Sequence, residues 1–156
     1  MKNVLVLILL FYIILLFQTS FFFHFNIKGV IPNFILILFF FLNYKEEKFH
    51  ISFFSPGLIS AIVGGLIFDI FSSSHLLGSS VLIFLALFIL IKKLFQIFEK
   101  TNYFWVFAVF AFCLFFFKIC LFNLHFIPFL IEFAYSGIFL FFLVFFLKPL
   151  KIYHNV

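Results

Sequence analysis

From Val4 to Phe17 the chain reads VLVLILLFYIILLF, with only the phenol of Tyr12 to interrupt the hydrocarbon. Continued to Phe23, such a run reaches the ~20 residues that carry a helix across about 30 Å of bilayer core. Five more apolar segments follow, and the six spans are expected at 4–23, 30–44, 52–71, 76–91, 103–124 and 127–147. A backbone in lipid must satisfy its own polar groups, so segments of this kind are read as helices. The expected fold class is all-α: one polytopic membrane domain, a bundle of about six transmembrane helices. The connections are too short to hold a soluble domain.

Several boundaries carry local signals. Pro32 and Pro56 fall in the first turns of the second and third spans, where a missing N–H costs little. The second span is short and is expected to lean on its neighbours. The fourth is read as stopping at Lys92-Lys93, and a tight turn around His125 and Pro128 joins the last two. The first run is too long for the core of a signal peptide and no A-x-A site follows it, so it is read as an uncleaved span.

Composition agrees with this reading. Hydrophobic residues make up 67% of the chain and charged residues 10%, and the 35 Phe are more than a water-soluble fold could bury. All ten cations are Lys. Abundant Phe without Arg is read as a compositional bias and not as an aromatic function. A net charge of +5 would in a soluble protein raise the question of nucleic acid. Here the lysines are read as marking the cytoplasmic face, and no nucleic-acid partner is expected. With a cytoplasmic N-terminus, Lys2, Lys45, Lys48, Lys92, Lys93, Lys100, Lys148 and Lys151 fall inside. Only Lys28 falls outside, and Lys118 lies within the fifth span. Both termini are therefore expected in the cytoplasm.

The polar residues inside these runs are the candidate sites, because an unpaired charge in hydrocarbon is costly. Asp69 closes the stretch Gly64-Gly65-Leu66-Ile67-Phe68-Asp69. Counting back by fours gives Gly65, Ala61 and Gly57, one stripe of small residues flanked by Ser60 and Gly64. Such a stripe lets a neighbouring helix come close, which turns Asp69 toward protein and away from lipid. Its carboxylate is expected either to wet itself in the Ser72–Ser74 turn or to hold a partner or organise the bundle. Lys118 is taken as the only buried cation able to answer it.

Lys118 and Glu132 stand at similar distances either side of the turn near His125. An antiparallel hairpin places them at one depth, where each offsets the other's desolvation. The alternative is that Lys118 snorkels outward alone. Since Glu132 competes with Asp69 for the lysine, a three-member cluster is one expected arrangement.

Catalytic patterns are thin. No Ser–His–Asp constellation, H-E-x-x-H or glycine-rich phosphate loop stands out, so neither an enzyme nor a cofactor is expected. His75 and Asp69 are six residues apart, but two ligands fall short of the usual three or four of a metal site, and no metal is expected. Cys113 and Cys120, seven apart on one helix face, are read as inert packing residues.

In order, Leu16-Phe17-Gln18-Thr19-Ser20 ends the first span and Ile31-Pro32-Asn33 opens the second. Gly57 then leads to Gly64-Gly65-Leu66-Ile67-Phe68-Asp69, and after a serine turn Leu77-Gly78 opens the fourth. This order resembles the rod shape-determining protein MreD family over roughly residues 10–85, and by topology alone beyond them. The turn before Leu77 looks one residue longer than in the family, and lysines stand where family members often carry arginines. The resemblance implies a non-enzymatic scaffold of the bacterial inner membrane, part of the machinery of cell elongation. It implies MreC as the direct partner, with the MreB filament, a polymerising glycosyltransferase and a penicillin-binding transpeptidase in the same complex. The interaction residues it suggests, beside those read from the residues themselves, are Gln18, Pro32, Asn33 and Gly78. The rival reading is a substrate-binding membrane subunit of an energy-coupling-factor vitamin transporter. Such a subunit needs small residues in its first span for docking, and this first span has neither Gly nor Ala.

Overall fold

The computed structural model describes residues 2–21, 24, 30–45, 55–71, 78–98, 103–121 and 126–147. Six α-helices follow one another: α1 (Lys2–Leu16, continued by a π-helical turn, Phe17–Phe21), α2 (Phe34–Lys45), α3 (Pro56–Phe71), α4 (Ser79–Ile97), α5 (Tyr103–Leu121) and α6 (Phe126–Leu147). By length and apolar content, α4, α5 and residues 126–145 of α6 can each cross a membrane. Leu5–Phe21, Phe34–Tyr44 and Pro56–Phe71 are apolar but shorter.

The shortest helix is the centre of the bundle. In α2, every residue from Ile35 to Phe41 is buried, as is Asn43. A helix that is apolar on all sides has no wet face and suits lipid as well as a protein interior. Packing supplies the reason it stays there: α2 touches α1, α3, α4 and α6. The ring of Phe39 meets Phe84 edge-on at 4.9 Å, and that of Phe40 meets Phe110 at 5.2 Å. At the start of α2, Phe34 meets Phe139 of α6 at 4.8 Å. Outer faces remain apolar, with Leu5, Leu82, Phe104, Phe126 and Ile127 among the well-exposed side chains.

The helix starts follow their local chemistry. Ser55 caps α3, its Oγ accepting from Leu58 N at 3.2 Å and its carbonyl from Ile59 N at 3.0 Å, with Pro56 at the first helical position. Ser-Pro ahead of an apolar run is a legible start signal. Pro128 sits in the first turn of α6, where it removes no intrahelical bond.

Two expectations about this framework are corrected. The fourth helix does not stop at Lys92-Lys93; it continues to Ile97, because two lysines are good helix formers and end only the apolar run. Nor is Lys118 the only buried cation. Lys92 is 5% exposed, its stem packed in the bundle and its ammonium 5.8 Å from the centre of the Phe88 ring. The two cysteines also part company: Cys113 is buried, and Cys120, next to the end of α5, is exposed.

Candidate functional site

A helix of 12 residues is about 18 Å long, well short of a bilayer core. Its ends therefore fall inside the bundle, and its unpaired N–H groups need acceptors from the protein itself. Three residues provide them at the start of α2. Asn33, buried, takes the cap position: its Oδ1 accepts from Leu36 N at 3.0 Å and its carbonyl from Ile37 N at 3.0 Å. Gln18 reaches across from the π-helical turn, and its Oε1 accepts from Phe34 N at 3.1 Å. Thr19 stays local, donating from Oγ1 to the Leu15 carbonyl at 2.9 Å. Phe34 N also lies 3.1 Å from the carbonyl of Pro32, which is buried in the turn leading into the helix.

The second junction joins α3 to α4. Gly57, Ser60, Ala61, Gly64, Gly65 and Asp69 are all buried. Gly65 lies against the backbone of α4, where an added Cβ would stand 2.5 Å from the Cα of Val81 and 2.8 Å from its nitrogen. Gly64 faces side chains: its added Cβ would meet the Phe11 ring of α1 at 3.0 Å and Phe84 at 3.5 Å. Ser60 donates from Oγ to the Gly57 carbonyl at 2.7 Å, so its hydroxyl is satisfied within the helix.

One turn beyond Gly65, the Asp69 carboxylate lies at the start of α4. Oδ2 accepts from Gly78 N at 2.7 Å and Oδ1 from Ser80 N at 3.1 Å. Asp69 is 4% exposed and its bond to Ser80 is buried, that to Gly78 part-buried; a carboxylate at a helix N-terminus is further favoured by the helix dipole. Gly78 adopts a φ of 97°, in the left-handed region that costs an L side chain and suits glycine. That backbone turns the Gly78 N–H toward α3.

The third junction joins α5 to α6. Lys118, in the last turn of α5, places its Nζ 2.6 Å from Glu132 Oε2, with the two side chains 24% and 5% exposed. The hairpin brings these two charges to one level, and the lysine does not snorkel alone. The three-member cluster does not form. Asp69 is held by the backbone N–H groups of α4, and Lys118 answers Glu132. The Ser72–Ser74 turn and His75 lie outside the described residues.

The residues singled out in the sequence thus resolve into three contacts between successive helices, Gln18 on the start of α2, the glycine stripe and Asp69 on the start of α4, and Lys118 with Glu132, while Asn33 caps its own helix. Sequence reasoning missed the Ser80 amide as a partner, the buried Lys92 and the π-helical turn. The Ser80 amide belongs to the backbone and carries no side-chain signal. Among the described residues no group of three or more His, Cys, Asp or Glu could hold a metal ion. Comparison of the chain with protein-family models, curated proteins and solved structures finds no match.

Proposed function

We propose that this chain is a six-span scaffold of the bacterial inner membrane, similar in role to the MreD family, with both termini in the cytoplasm. On this reading it binds the single-span protein MreC and through it works with MreB, the elongation glycosyltransferase and the penicillin-binding transpeptidase in shaping the cell. One observation supports the proposal above the others. Of the residues that carry the resemblance, Gln18, Gly65, Asp69 and Gly78 take part in contacts between helices and Asn33 caps α2. Residues spent on joining helices serve the shape of the bundle, which is the property a scaffold presents to its partners. The orientation rests on the lysines: eight of them fall on the side assigned to the cytoplasm. The three polar junctions then belong to the outer side.

Two measurements test the proposal separately. Topology reporters fused after Lys48, Lys100 and Lys151 should all read cytoplasmic, and a periplasmic signal at any of them overturns the six-span arrangement. The tagged protein should co-purify with MreC from detergent-solubilised membranes. If it instead co-purifies with a pair of transport ATPases, or binds a vitamin, it is a transporter subunit.

A further inference from the structure

No further inference is drawn: the strongest candidate, the open apolar groove between α5 and α6 lined by Phe107, Phe133, Ala134, Gly137, Ile138 and Phe141, is an unpartnered face, and nothing in the structure shows what covers it.

Discussion

Gly65 and Val81 bring two helix backbones together with no room between them for a methyl group, since a Cβ on Gly65 would lie 2.5 Å from the Val81 Cα. This approach has a second effect one turn away. It sets the end of α3 close enough to the start of α4 for the Asp69 carboxylate to accept from Gly78 and Ser80 directly. The small-residue stripe and the buried charge are therefore one device. The glycine sets the spacing, and the aspartate uses it to cap the next helix.

Substitution of the two adjacent glycines should separate these effects. Gly65→Ala puts its methyl against backbone that cannot rotate away, so α3 and α4 must part, at a cost of about 1–3 kcal/mol. Gly64→Ala meets the edge of the Phe11 ring at 3.0 Å, a side chain that can give by a few tenths of an ångström. Gly137→Ala has open space around it and should be neutral. Thermal unfolding in detergent should therefore rank Gly65→Ala well below the other two. Equal midpoints for Gly65→Ala and Gly137→Ala would show that α3 and α4 do not touch here.

At Asp69 the number of acceptor oxygens decides the outcome. Asp69→Asn keeps one oxygen and loses the charge, so one of the two α4 amides keeps its acceptor, without charge assistance. Asp69→Leu leaves the buried Ser80 N–H unpaired, at about 1–3 kcal/mol, and the part-buried Gly78 N–H without its acceptor as well. The asparagine variant should retain most of the folded protein and the leucine variant little of it, read as the monodisperse fraction on size exclusion. Wild-type behaviour of Asp69→Leu would mean that water and not Asp69 satisfies the start of α4.

Gln18 is the test of the short central helix. Gln18→Leu removes one of the two acceptors of Phe34 N, leaving the Pro32 carbonyl, and puts an apolar side chain in its place. Asn33→Ala removes the cap proper. Loss of a cap typically costs about 1 kcal/mol, so each variant should lower stability modestly and the pair together by more. Amide hydrogen exchange at Phe34 and Leu36 gives the local readout. Exchange should accelerate at Phe34 in Gln18→Leu and at Leu36 in Asn33→Ala, and unchanged rates would remove both residues from the cap.

The ion pair between Lys118 and Glu132 predicts a pattern and not only a loss. Lys118→Met strands a carboxylate that is 5% exposed and should destabilise by about 3 kcal/mol. The double variant Lys118→Met, Glu132→Leu removes both charges and should recover most of that stability. If the double variant is as unstable as the sum of the two single ones, the charges act independently and the pair is not a unit.

Much of the architecture follows from the chain alone. Long runs without polar side chains can be nothing but helices in lipid, and a charge or glycine interrupting such a run has to be explained by a neighbour. The anomalies at Gly65, Asp69, Lys118 and Glu132 could therefore be picked out by eye, while Gln18 and Asn33 came only with the resemblance. Their partners could not. The ion pair was legible because the two charges flank one turn at similar distances, so a hairpin dictates their meeting. The Asp69 cap was not, because its donors are backbone amides, present at every non-proline residue, and only the close approach at Gly65 selects those of Gly78 and Ser80. The shortness of the second span hinted that α2 leans on neighbours, but its central place was hidden, since an apolar run reads alike whether lipid or protein surrounds it. Tertiary packing decided that, by closing α1, α3, α4 and α6 around a helix of only 12 residues.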